Sequence, residues 1–134
     1  LAMQARPIVI DRSRKQNALK EILRQGQTLL AEGINVVIFP EGTRSENGQI
    51  RRFKDGAFII AKKAEVAILP VILNGTLETL PKSGMIGGKQ VFDIRVLPEI
   101  PYESFKDKSP ADIAKEMHEL LTEEHKKIAP KYYS

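Results

Sequence analysis

Cysteine is absent from the 134 residues, and so is tryptophan. Without cysteine there is no disulfide, no thiol nucleophile and no thiolate metal site. The two histidines do not replace them. His118-Glu119-Leu120-Leu121-Thr122 misses a His-Glu-x-x-His zinc site, because Thr122 stands where the second histidine belongs. No other residues show metal-ligand spacing, so no metal is expected. Aromatics make up 6% of the chain, too few to stack a nucleic-acid strand beside Arg51, Arg52, Lys54, Lys62 and Lys63. The balance of 21 Lys and Arg against 17 Asp and Glu leaves only +4, which suits an anionic substrate, acidic lipid or an acidic carrier protein rather than nucleic acid. No apolar run approaches the roughly 18 residues of a transmembrane helix, and the first residues lack a signal-peptide pattern. Gly88-Lys89 fails as a phosphate loop: Gln90 replaces the hydroxyl residue, and a strand pattern follows.

The most informative stretch is residues 34–45. Val36-Val37-Ile38-Phe39 is an unbroken β-branched and aromatic run, which predicts a strand buried on both faces of a parallel sheet. Pro40 ends the ladder because it has no N–H to donate. Glu41, Gly42, Thr43, Arg44 and Ser45 follow as a small polar loop at the strand's carboxyl end, where open α/β sheets bind ligands. Arg44 offers a planar fork of donors that matches phosphate or carboxylate, so an anion is the expected guest.

Around that stretch the pattern reads as one α/β domain over residues 1–134, with a mostly parallel or mixed sheet flanked by helices. Pro7-Ile8-Val9-Ile10 predicts a short strand with Asp11-Arg12 at its carboxyl end. Ser13 and Gln16 form a capping-box pattern, and Leu19, Ile22, Leu23, Leu29 and Leu30 form a helical stripe that Gly33 ends. A right-handed crossover would make strands 7–10 and 34–39 parallel and bring Arg12 and Arg44 to one sheet edge. Two guanidinium groups meeting there would repel unless a dianion sat between them. Further on, a turn is expected at 46–49 and a helix from Gly56 to Ala64 capped by Asp55. A strand is expected over 66–73, distorted by Pro70. Residues 74–89 read as a long loop with Met85-Ile86 as an apolar tip, and 91–97 as a half-exposed strand. The last helix is opened by Ser109-Pro110 and striped by Ile113, Ala114, Met117, Leu120, Leu121 and Ile128. The tail Pro130-Lys131-Tyr132-Tyr133 is compatible with fraying or with a membrane surface.

Phe39-Pro40-Glu41-Gly42-Thr43-Arg44-Ser45 resembles the Glu-Gly-Thr-Arg block of the glycerolipid acyltransferases, the 1-acylglycerol-3-phosphate (lysophosphatidic acid) acyltransferase family. Ile10-Asp11-Arg12 and Leu69-Pro70-Val71 resemble two further blocks in the family's order, and Phe53-Lys54-Asp55-Gly56-Ala57-Phe58 resembles the stretch that follows the first. The family also carries a His-x4-Asp motif upstream, with its histidine as general base. Nothing between Leu1 and Ile10 supplies it, so the chain is read as an N-terminally truncated acyltransferase domain with no catalytic residue of its own.

The resemblance implies an O-acyltransferase of phospholipid biosynthesis, making phosphatidic acid. It would move a fatty acyl group from acyl-CoA or acyl carrier protein, as co-substrate, to a lysophospholipid acceptor, with no cofactor. It also implies membrane association, on the cytoplasmic face. This chain would supply the phosphate-binding acceptor site: Arg12, Glu41, Gly42, Thr43 and Arg44, with Lys54 and Ser45 as further candidates. Each residue also has a plainer reading. Gly42 could be a simple turn glycine, Glu41 a salt-bridge partner, Arg12 a helix-start residue, and Arg51, Arg52 and Lys54 a solvated basic face. Asp11 reads as structural, and His118 and His125 as helix-surface histidines. A rival function is a non-catalytic module that binds anionic lipid or phosphate through the same loop.

Overall fold

The structure is a computed structural model that describes residues 15–79 and 91–134, without the side chains of Lys15, Gln16 and Thr79. The chain falls into two compact units, Leu1–Ile38 and Phe39–Ser134. The strand expected at 7–10, Arg12, the Ser13–Gln16 capping box and the apolar tip at Met85-Ile86 lie outside the described residues.

In the first unit, helix α1 spans Lys15–Ala31. Ile22, Leu23, Leu29 and Leu30 are half-buried on one stripe, while Leu19 is exposed. On the polar side Arg24 Nη2 lies 2.6 Å from Glu21 Oε1. Hydrogen bonds from Arg24 and then Gln25 draw the Glu21 carboxyl down to about 2. The helix stops as expected: the Ile34 amide donates to the Leu29 carbonyl at 2.9 Å and the Gly33 amide to that of Leu30 at 3.0 Å, the pairing of a Schellman motif. The strand expected next does not form among the described residues. Residues 34–39 run without a ladder, and Val37 is 83% exposed rather than buried on both faces. A β-branched run favours extended backbone, but burial also needs a neighbour on each side. The partner expected at 7–10 is not among the described residues.

The second unit is built on a pair of short antiparallel strands. Strand β1 (Val71–Asn74) pairs with β2 (Asp93–Val96) in the register Val71 opposite Val96 and Leu73 opposite Ile94. The strand expected over 66–73 is interrupted: Ile68 bridges Ile100 on its own, and between bridge and ladder the Pro70 carbonyl accepts from the Leu97 amide at 3.0 Å. Pro70 has no N–H to return. Ile72 faces the core, whereas Ile94 and Val96 are 56% and 62% exposed. Arg95 between them is exposed as well, so β2 is not half-exposed as foreseen for 91–97: it is open at its apolar positions too. Residues 76–79, expected to be loop, form a single helical turn, α3 (Thr76–Thr79).

Helix α2 spans Gly56–Ala64 and buries Phe58, Ile60 and Ala61. Asp55 precedes it but does not cap it: its backbone is already helical and its side chain accepts no cap hydrogen bond. Helix α4 spans Pro110–Ile128, and Ser109 caps it by accepting from the Asp112 amide at 3.1 Å. Ile113, Met117, Leu121 and His125 form a buried stripe with a spacing of four residues. His125 is 3% exposed, not a surface histidine as its polarity implied, because the stripe runs on to its position. The core joins Phe53, Phe58, Ile72, Phe105, Ile113, Met117 and Leu121. Among the described residues no helix is long and apolar enough to cross a membrane.

The Phe53 and Phe58 rings lie 6.3 Å apart in the centre of this core. Phe58→Ala should therefore lower stability by about 3–5 kcal/mol, and Leu120→Ala, on the exposed flank of α4, by no more than about 0.5 kcal/mol. Chemical denaturation followed by circular dichroism separates the two; equal losses would contradict this assignment of the core.

Candidate functional site

The loop from Phe39 onward folds back because two stretches of backbone bind each other. The Gly42 amide donates to the Phe39 carbonyl at 3.1 Å, closing a tight turn, and the Lys54 amide donates to the Pro40 carbonyl at 2.9 Å. Pro40 can only accept, which makes it a suitable end for the pairing. Phe53, 6% exposed, roots the returning stretch in the core. Phe39 is 67% exposed and contributes nothing to that core.

Gly42 sits at φ +73°, and a Cβ there would come within 2.8 Å of the Lys54 ammonium and 2.9 Å of its Cε. Both its positive φ and the close approach of Lys54 favour glycine. This is more than a plain turn glycine: its lack of a side chain lets a cation lie against the loop backbone.

Glu41 turns inward. Its Oε2 accepts from the Arg51 amide at 2.8 Å. Burial pushes its carboxyl above the ordinary 4.5, and the Arg51 hydrogen bond and the nearby charges of Arg51 and His118 act against that rise. Desolvation disfavours the charged form, and the donated N–H restores part of what water would have provided. Glu41, Arg51, Arg52, Phe53, Lys54 and Asp55 line an open depression of about 480 Å³. Three cations and two carboxylates face it, so it carries a net positive charge, larger still when Glu41 is protonated. Thr43 and Arg44 are exposed on the same turn and do not line the depression. Ser45 donates its hydroxyl to Asn47 Oδ1 at 3.2 Å, and the Gln49 amide donates to the same oxygen at 3.1 Å. Ser45 therefore takes part in the turn that closes the loop. Arg12 lies outside the described residues, so its expected convergence with Arg44 is not displayed.

Several residues that hold the loop had no signal in the sequence. Only the Phe53-Lys54-Asp55 resemblance pointed to the returning stretch. His118 Nε2 lies 3.3 Å from the Ile50 carbonyl, and its ring meets Phe53 edge-on at 5.3 Å. His125 is enclosed between Tyr133 and Asn74. Both rings have structural partners. Among the described residues no group of His, Cys, Asp or Glu is arranged to hold a metal ion.

The sequence profile of the Acyltransferase family matches residues 1–74. The chain is 37% identical over 116 residues to 1-acyl-sn-glycerol-3-phosphate acyltransferase alpha of Ovis aries, covering 86% of this chain and 40% of that protein. It is 31% identical over 125 residues to the 1-acyl-sn-glycerol-3-phosphate acyltransferase of Pseudomonas aeruginosa, covering 93% of this chain and 48% of that protein. Among solved structures, the 1-acyl-sn-glycerophosphate (LPA) acyltransferase PlsC of Thermotoga maritima matches with a TM-score of 0.66 at 27% identity, over 79% of this chain and 43% of that chain. The chain spans less than half the length of each of these relatives. Its α/β arrangement is that of a partial acyltransferase domain. With the family profile covering more than half of its residues, the chain belongs to the Acyltransferase family.

Proposed function

We propose that the complete protein transfers a fatty acyl group from acyl-CoA or acyl carrier protein to the free hydroxyl of 1-acylglycerol 3-phosphate, and that this chain supplies the phosphate-binding part of the acceptor site. The observation that carries the reading is the contact at Gly42, where a glycine at φ +73° admits the Lys54 ammonium to the backbone of the Glu-Gly-Thr-Arg loop. A phosphate dianion placed there would meet Lys54 as a point charge and Arg44 as a bidentate fork. Arg12 is the proposed second guanidinium. Glu41 is not a phosphate ligand in this scheme, since carboxylate and phosphate repel; it holds the loop through the Arg51 amide.

The histidine of the family's upstream motif would take the proton from the acceptor hydroxyl. The oxygen would then attack the thioester carbonyl, forming the ester C–O bond, and the C–S bond would break as the carrier thiolate leaves and is protonated. Anchoring the phosphate holds the hydroxyl at a fixed distance from that base, a positional contribution worth several kcal/mol of the barrier. The acceptor is an amphiphile whose tail stays in a bilayer, which supports work at a membrane surface; the cytoplasmic face is the proposed side. The chain's net charge of +4 fits an anionic surface or carrier.

Arg44→Ala should weaken binding of a short-chain lysophosphatidate by about 10- to 100-fold, and Arg44→Lys by less, because the ammonium keeps the charge but loses the fork. Gly42→Ala should weaken it comparably, by displacing Lys54. Isothermal titration of the variants beside Arg95→Ala, on β2, checks this; affinity unchanged by Arg44→Ala would reject the site. A pH series tests Glu41. Its folded carboxyl is raised above the ordinary 4.5, so its contribution to stability is full below that value and is lost as pH rises through the folded value. Glu41→Gln keeps an acceptor for the Arg51 amide without the charge. Its melting temperature should exceed the parent's at pH 7–8, and the gap should close as pH falls below about 4.5. A gap independent of pH would contradict a desolvated carboxylate.

A further inference from the structure

Ile50 is gripped at both of its backbone groups by residues more than sixty positions away. Its carbonyl faces His118 Nε2 at 3.3 Å. Its amide donates to the Tyr133 hydroxyl at 3.2 Å. The next amide, that of Arg51, is the one on which Glu41 rests. One peptide unit thus separates the grip of the C-terminal segment from the Glu-Gly-Thr-Arg loop.

One assignment of hydrogens satisfies the whole chain of bonds. The Tyr133 oxygen already accepts from Ile50, so its own hydrogen is free to go to His125 Nδ1, 2.8 Å away. In that assignment a neutral His125 carries its hydrogen on Nε2, which faces Asn74 Oδ1 at 3.3 Å. A neutral imidazole satisfies every member of the series Ile50, Tyr133, His125 and Asn74, and burial lowers the basicity of His125 in the same sense. An imidazolium would instead place two donors, the Ile50 amide and His125 Nδ1, on the Tyr133 oxygen.

The tail that presents Tyr133 is itself braced. Pro130–Tyr132 forms a 3₁₀ turn. The Tyr132 ring stacks on His125 at 5.9 Å and 15°, its carbonyl accepts from Gln49 Nε2 at 2.6 Å, and its hydroxyl bonds Glu78. Lys131 Nζ lies 2.8 Å from the same Glu78 carboxylate. Gly48, at φ +83°, lays the loop tip on the Tyr132 ring so closely that a Cβ would fall 2.3 Å from Tyr132 Cδ1. Residues 130–133 are not frayed: they are folded against the loop tip at Gly48, Gln49 and Ile50.

We propose that His118, His125 and Tyr133 are positioning residues for the acceptor loop, clasping Ile50 from both sides so that the Arg51 amide holds Glu41, and with it the Gly42 turn, in the geometry that receives the phosphate. The proposal rests on the reading of residues 39–55 as the acceptor site. It adds that the loop takes its shape from α4 and the tail, rather than from local turn chemistry alone.

Tyr133→Phe removes one hydroxyl and keeps the ring. In the 134-residue chain, amide hydrogen exchange should quicken at Ile50 and Arg51 by about tenfold or more, while amides of α2 and α4 keep their rates. Affinity for short-chain lysophosphatidate should fall about three- to tenfold. His125→Asn, which retains an acceptor near the Nδ1 position, should preserve Arg51 protection better than His125→Leu. Unchanged exchange at Arg51, or an equal acceleration of all amides, would overturn the clasp. Faster exchange with unaltered affinity, where Arg44→Ala does weaken binding, would overturn the positioning role. If Arg44→Ala and the parent bind alike, the acceptor-site reading fails instead, and exchange at Arg51 alone decides whether the clasp exists.

Discussion

The hydrogen bond from the Arg51 amide to the Glu41 carboxylate, 2.8 Å long, ties the Glu-Gly-Thr-Arg loop to a hydrophobic core. Glu41 opens the polar loop, and Arg51 lies two residues before Phe53, which is buried among Phe58, Met117 and Leu121. The carboxylate therefore connects a segment with little packing of its own to one that cannot move without disturbing the core. A second bond, from Lys54 to the Pro40 carbonyl, keeps the two stretches in register. Withdrawing a carboxylate from water carries a cost, visible in its raised affinity for a proton. The charge-assisted bond offsets part of it, and the return is a loop whose backbone is fixed before any ligand arrives.

Function and stability meet in α4. One face of that helix fills the core with Ile113, Met117 and Leu121, and the same stripe ends in His125. A buried imidazole is tolerable only when both nitrogens are satisfied, and here Tyr133 and Asn74 provide for them. His118, the residue after Met117 and so to one side of the stripe, meets Phe53 and Ile50. Both imidazoles are engaged by partners within the fold, His118 by the Ile50 carbonyl and His125 by Tyr133 and Asn74.

Much of this could be read from local pattern. The Ser109-Pro110 start of α4, the Gly33 stop of α1, the extent of α2 and the loop after Pro40 follow from cap, turn and periodicity rules whose causes lie within a few residues. What could not be read depends on partners distant in the chain. The Val36–Phe39 run has the composition of a buried strand, but a strand is made by its neighbours, and Val37 is exposed. Asp55 has the chemistry of a cap, yet its own helical backbone turns the side chain away from that role. The polarity of His125 pointed to the surface, whereas its place four residues after Leu121 pointed inward, and packing decided. The contacts of Gln49 and Ile50 with Tyr132 and Tyr133 join residues 83 apart, a separation no periodicity records. For the site itself, the motif pointed to Gly42 and Arg44, and only coordinates could show Lys54 lying against the glycine.

The central claim is that a phosphate group binds at the turn around Gly42. A titration of the ¹⁵N-labelled chain with glycerol 3-phosphate, followed by amide and side-chain chemical shifts, tests it most directly. The account predicts that the largest shifts cluster at Glu41, Gly42, Thr43, Arg44 and Lys54, and that they saturate together with one affinity. Shifts scattered over the surface lysines of α4, or confined to residues remote from Gly42, would contradict it.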